Sequence, residues 1–359
     1  MTWSYRLARI AGTDIKVHVT FLLLLGWYAF AAWRTAGPQA AAGGILFLLA
    51  LFGCVLLHEF GHILMARRFG VRTPDVILLP IGGVARLERI PDEPKQELLI
   101  AAAGPVVTLL VAVVLYAWTR AIGEAPAMLP DPGRGSFAER LMAVNVWLLA
   151  FNLIPAFPMD GGRMLRALLA TRIGLVRATN AAAILGQVLA VAMILVGLSG
   201  QILLAVIGFF VFVGASAEAK AVETRAMGEG LRVAEMMVTQ FRTLPAHATL
   251  SQAVDLLLSG DQREFPVLDD RGRAGGILTR DNLIRGLRER GPDSLVSDAM
   301  TAAVPPVSPA LGFQDALEQL RRSGLPALPV VDGGGILVGL LTMDNISELL
   351  LVRRAHAGR

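Results

Sequence analysis

A single cysteine, Cys54, excludes any disulfide within the chain; it lies one helical turn before His58, where packing is its expected role. Charge is equally scarce. Only 17% of the 359 residues are Asp, Glu, Lys or Arg, whereas 54% are hydrophobic and the mean hydropathy is +0.58. That balance excludes an ordinary soluble protein over most of the length. The net charge of +4 is met by arginines and lysines flanking apolar runs, so no nucleic-acid partner is expected. No isolated short apolar core with a small-residue cleavage site is seen, and "MTWSYRLARIAGTDIKVH" is expected to lead into a retained first span. Histidine numbers only five, and two of the five stand four residues apart inside an apolar run.

What the chain does have is apolar runs of bilayer-crossing length. They predict six spans, at roughly 17–33, 44–66, 98–119, 142–157, 179–199 and 201–216, the last two joined by a turn at Ser199-Gly200. Arg6, Arg9 and Lys16 precede the first. Arg67, Arg68, Arg72, Arg86, Arg89 and Lys95 separate the second from the third, and Arg163, Arg166, Arg172 and Arg177 the fourth from the fifth. The positive-inside rule makes these ends cytoplasmic and leaves both termini inside. From about Gly228 charge, proline and turn residues become frequent. The expected fold is a polytopic α-helical membrane protein with six transmembrane helices (1–220), a linker (221–230), and a soluble α/β domain of two repeats (231–290 and 291–355).

"LLHEFGHILMARRFG" (56–70) places ionisable groups where lipid should be, and such groups are functional by default. His58 and His62 project from one helix face, a spacing that suits two nitrogens on one tetrahedral zinc ion. Glu59 sits beside the first ligand and can accept a proton from water that zinc acidifies to a pKa of about 7. Gly61 leaves room for a neighbouring helix. The bland alternative is a pair of histidines hydrogen-bonded within a helical bundle.

Two histidines leave zinc short of a third protein ligand. The fourth span ends "NLIPAFPMDGGRMLRALL", where Pro155 and Pro158 break the helix and free backbone groups that lipid cannot satisfy. Asp160 follows, with Gly161 and Gly162 letting the chain fold closely around it. Asp160 is the expected third ligand; the alternative makes it the N-cap of a surface helix. His18 reads as interfacial, and His247 and His356 as surface residues of the soluble part.

His58-Glu59-Phe60-Gly61-His62, together with Asn152-x-x-Pro155-x-x-Pro158-x-Asp160-Gly161, resembles the site-2 protease family of intramembrane zinc metalloproteases. The resemblance implies a six-span core, one zinc ion held by His58, His62 and Asp160, Glu59 as catalytic carboxylate, and membrane-anchored protein substrates. It also places Asn152 by the active site, where its amide would position the scissile carbonyl or stabilise its oxyanion, unless it only bonds a neighbouring helix. "VILLPIGGVARLE" (76–88) reads as two short strands around Gly82-Gly83, similar to the family's re-entrant hairpin, with an edge to which a substrate strand could add. One position departs from the pattern. Thr108 stands three residues after Pro105, where the family has asparagine.

The C-terminal part repeats itself at an offset of 63 residues: "VAEMM" (233–237) with "VSDAM" (296–300), "FPVLDD" (265–270) with "LPVVDG" (328–333), "GILTRDNL" (276–283) with "GLLTMDNI" (339–346). The units resemble a pair of CBS modules. That resemblance implies an adenine nucleotide site, with Thr279, Asn282, Thr342 and Asn345 as candidate contacts, or a homodimerisation module without ligand. The whole reading is an intramembrane zinc endopeptidase that cuts membrane-anchored proteins in the lipid bilayer. A CBS-gated transporter and an inactive scaffold are the alternatives; no PDZ-like module interrupts the spans.

Overall fold

The computed structural model describes residues 3–80, 82–85, 93–123, 135–269 and 271–357. Arg86, Arg89 and the last residues of the expected 76–88 hairpin lie outside them. The chain forms two compact units, Met1–Val222 and Glu223–Arg359.

The first unit opens with two strands, β1 (Ser4–Ile10) and β2 (Thr13–His18), not with a span. Ala11 and Gly12 both take positive φ (48° and 78°), the twist of a two-residue hairpin turn. Tyr5 and Leu7, with Trp3 before them, alternate with polar or small residues, so this was a strand pattern hidden in front of a stronger apolar run. Val17, expected inside the first span, belongs to β2, and His18 caps the helix that follows by accepting from Thr20 N.

That helix, α1, is recorded as Val19–Arg68. Fifty residues would extend about 75 Å as one straight helix. Gly37, at φ 85° and ψ 179°, breaks it ahead of Pro38, so the element is two arms. The arms lie antiparallel. Phe21 meets Phe52 edge-on, ring centroids 4.4 Å apart, and the Tyr28 ring packs against Gly44. Two further strands, β3 (Asp75–Leu79) and β4 (Gly82–Ala85), complete a sheet ordered β1-β2-β3-β4, with β2 and β3 parallel and the outer pairs antiparallel. The whole of α1 is thus the crossover between β2 and β3. Leu79 pairs with Gly82, so Gly82-Gly83 begin the second strand instead of forming the turn.

The remaining helices of this unit are α2 (Pro94–Ala121), α3 (Phe137–Asn152), α4 (Asp160–Ile173), α5 (Leu175–Leu198) and α6 (Ile202–Met227). Among the described residues four helices are long and apolar enough to cross a membrane: α1, α2, α5 and α6. The expected fourth span instead ends at Asn152 after 16 residues, because Leu153–Met159 carries two prolines and cannot stay helical. Helix α6 continues to Met227 through most of the expected linker. Its "ASAEAKAVETRAM" stretch is rich in good helix formers and has neither glycine nor proline.

Apart from the two-residue strands β5 and β8, the second unit follows the 63-residue offset element by element. Short α7 (Val233–Met236), β5 (Leu244–Pro245), α8 (Leu250–Leu258), β6 (Glu264–Leu268), β7 (Ala274–Thr279) and α9 (Arg280–Arg290) make the first repeat. The second has α10 (Val296–Ala299), β8 (Thr301–Ala302), α11 (Phe313–Ser323), β9 (Ala327–Val331), β10 (Leu337–Thr342) and α12 (Met343–Ala357). The repeats exchange segments. Thr301 pairs with Ile277 in the first repeat, and Val238 bridges Leu340 in the second. Ile277 is accordingly buried in the second repeat's core, with Met236, Leu320 and Leu340.

Candidate metal centre

The last turns of α1 bring His58, Glu59 and His62 to one corner of the first unit, where α2 and α4 close over them. Both histidines and Asp160 are buried, each under a tenth exposed. Asp160 is the first residue of α4 and makes no capping bond to its own helix; its carboxylate faces the histidines. His58 Nε2 lies 3.1 Å and His62 Nε2 3.2 Å from Asp160 Oδ2, and the two Nε2 atoms are 3.1 Å apart.

The far side of each ring fixes its proton. His62 Nδ1 stands 2.7 Å from the Ile100 carbonyl oxygen, which can only accept, so Nδ1 donates. His58 Nδ1 stands 2.8 Å from Thr108 Oγ1, whose own hydrogen goes to Gly104 O at 3.3 Å. Nδ1 therefore donates there as well. With both protons on Nδ1, each neutral ring turns an Nε2 lone pair inward. Two ring nitrogens and a carboxylate oxygen then converge, an arrangement that a metal cation satisfies. Tetrahedral donors about 2.0–2.1 Å from zinc lie ~3.3 Å from one another, close to the triangle seen here. The donor set fits zinc.

Thr108 thus supplies the contact from α2 that its departure from the family pattern had left open. Gly104 is required by the same packing, since a Cβ there would collide with the rings of both histidines. Gly61 does leave room for α2: its Cα faces Ala103 O. Gly161 and Gly162 press on the backbone of residues 153–157, which seats the proline loop under Asp160.

Glu59 is half-buried and lines a cavity of about 650 Å³ together with His58, His62, Asn152, Asp160 and Arg163. Leu48, Leu51 and Phe52 of α1 and Val144, Leu148 and Phe151 of α3 give that cavity apolar walls. Strand β4 crosses it: a Cβ on Gly83 would come within 2.8 Å of Glu59 Cγ. Asn152 also lines the cavity, and its side chain has no hydrogen-bond partner among the described residues, so the helix-bonding alternative finds no support. Cys54 is buried outside the cluster. Asp75 pairs with Lys16 at 2.6 Å, and Glu88 and Asp92 lie outside the described residues.

In the second unit, Thr279 and Thr342 accept from the backbone N–H of Asn282 (3.2 Å) and Asn345 (3.0 Å) at the starts of α9 and α12. The asparagine amides tie the exchanged segments, Asn282 donating to Thr301 Oγ1 and Asn345 to Met236 O. All four candidate contacts therefore have internal partners. None lines the cavity of about 470 Å³ around Phe241, Arg242 and Gln262. His247 and His356 are exposed, as expected.

The family model described as peptidase family M50 matches residues 46–128 and 121–196, and a zinc metalloprotease of Methanocaldococcus jannaschii is 32% identical over 98% of this chain and 97% of its own. The chain belongs to peptidase family M50. Rip3 of Mycobacterium tuberculosis (strain H37Rv) is similar to this M50 peptidase at 32% identity over 97% of the chain and 93% of Rip3. A solved site-2 protease from M. jannaschii shares 37% identity, covering 60% of this chain and 95% of that one, with a TM-score of 0.47. The CBS domain model matches residues 233–289 and 296–352, the two repeats. The site-2 protease and CBS resemblances both hold, and the protein is a zinc metalloprotease of that type.

Arg166, Glu97 and Glu218 were missed as a group. The sequence offered Arg166 only as a topology marker, yet it is buried and paired with both carboxylates. In the M50 peptidase, Thr108→Val should keep the helix packing and remove the acceptor of His58 Nδ1. Zinc affinity, measured by chelator competition, should then fall about 10- to 100-fold.

Proposed function

We propose that this M50 peptidase is an intramembrane zinc endopeptidase that hydrolyses a peptide bond in or near the transmembrane segment of membrane-anchored proteins. One observation carries the reading. Three inward-turned donors from His58, His62 and Asp160 converge beside Glu59 at the foot of an apolar-walled cavity.

His58, His62 and Asp160 would hold zinc, one ion per chain, which would supply a Lewis acid to acidify water and polarise a carbonyl. Glu59 takes the proton of the attacking water and returns it to the amine nitrogen as the peptide bond breaks. The Asn152 amide, which lines the cavity, donates to the scissile carbonyl oxygen as negative charge develops on it. A substrate must first unwind, because a helix hides its carbonyls in internal hydrogen bonds. Strand β4, at the outer edge of its sheet, offers a place for the unwound segment to add and carries it past Glu59.

The two arms of α1 with α2, α3, α5 and α6 make six crossings. Helix α3 spans only about 24 Å, and the broken segment after it lines the cavity. Exposed Arg67, Arg68, Lys95, Arg172 and Arg177 support a cytoplasmic side for the zinc end of these helices, both termini and the CBS pair. The CBS pair serves as a regulatory or homodimerisation module, and an adenine nucleotide is the ligand to test against it by calorimetry on the full chain.

Glu59→Gln should lower cleavage of a membrane-anchored substrate in proteoliposomes by about 10²- to 10⁴-fold while zinc content stays at one per chain. Retained cleavage would reject Glu59 as the proton carrier. Consecutive residues on β4 point their N–H groups to opposite sides, so only one of Val84→Pro and Ala85→Pro removes an outward donor. That variant should lose cleavage with normal zinc content; equal cleavage in both would reject strand addition.

A further inference from the structure

Two turns beyond Asp160, Arg166 turns inward from α4 with 3% of its side chain exposed. Its Nε lies 2.7 Å and its Nη2 2.5 Å from Glu97 Oε1 on α2, and its Nη1 2.8 Å from Glu218 Oε1 on α6. The guanidinium carbon stands 4.9 Å from the centre of the Phe157 ring, which is fully buried in the middle of the proline loop. The loop is held on its other side too. Phe157 N donates to Ala182 O at 3.4 Å, and Gly186 of α5 abuts Phe157 O.

Stability alone is a weak account of such a cluster. A buried ion pair repays its desolvation poorly, and well-packed apolar side chains do as well or better. What the cluster has is position. Glu97 lies one helical turn before Ile100, whose carbonyl orients His62, and Arg166 lies on the helix that Asp160 begins. The pair ties α2 to α4 close to both halves of the metal site, while the same guanidinium plane supports the loop that delivers Asp160. A planar fork reaching three partners fixes direction as well as distance, which a lysine ammonium does not.

We propose that Arg166, held between Glu97 and Glu218, is a positioning residue that sets where Asp160 stands relative to His58 and His62. The inference rests on the metal reading above. It requires that loosening the cluster alter the geometry of the metal site before it alters the fold.

The test uses full-length protein in detergent loaded with cobalt(II), whose visible absorption reports the number and arrangement of its ligands. Glu218 is the more exposed partner, so Glu218→Gln keeps the protein folded; Arg166→Lys keeps the charge and loses the fork. Both variants should bind cobalt about tenfold more weakly by chelator competition and show a changed absorption band. The thermal midpoint of metal-free Glu218→Gln should match wild type. If Arg166→Lys does not accumulate, Glu218→Gln decides alone. Variants with wild-type affinity and band would overturn the inference and leave the metal reading standing. A wild-type protein that takes up no cobalt would overturn both.

Discussion

Two imidazole nitrogens and a carboxylate oxygen stand within 3.2 Å of one another in a buried corner, where a metal cation would hold them together, and much of the first unit follows from placing them there. Each ring needs its outer nitrogen bonded, which is why α2 offers a carbonyl at Ile100 and a hydroxyl at Thr108. Each ring also needs a neighbour without a side chain, which α2 provides at Gly104. The carboxylate must enter from another helix at the same depth, and the broken segment before Asp160 makes that entry possible. A straight continuation of α3 would carry residue 160 about two further turns along its own axis.

Irregular backbone among apolar helices is tolerated only where protein or a cavity covers it. The proline loop satisfies this by packing against α4 and α5 on one side and bordering the cavity on the other. Gly82, Gly83 and Ala85 of β4 also line this cavity, so the carboxylate of Glu59, the three candidate ligands and a strand edge meet in one volume. The apolar walls from α1 and α3 suit a partner that is itself apolar, in keeping with a family of membrane-embedded zinc metalloproteases.

Chemistry was more legible than architecture. His58, His62 and Asp160 could be picked out as a candidate ligand set, which the structure brings together, because a metal demands particular atoms at particular spacings, and the 63-residue repeat because duplicated units keep their register. The N-terminal hairpin was hidden because its alternation is short and runs directly into a much longer apolar stretch. The antiparallel arms of α1 were visible as two runs, although Gly37 joins them in one recorded element. Thr108 read as a loss because a hydroxyl replaced an amide, yet the histidine needs only one acceptor at that point. Arg166 was misjudged because sequence cannot separate an arginine at a membrane margin from one buried between two carboxylates 121 residues apart in the chain.

Zinc-edge X-ray absorption on the purified wild-type protein addresses the central claim most directly, because it counts the atoms around the metal. The account predicts two imidazole nitrogens at about 2.0–2.1 Å, oxygen at about 2.0–2.2 Å, and no sulfur. A sulfur scatterer near 2.3 Å, which could come from Cys54, or a shell with fewer than two imidazoles would contradict it.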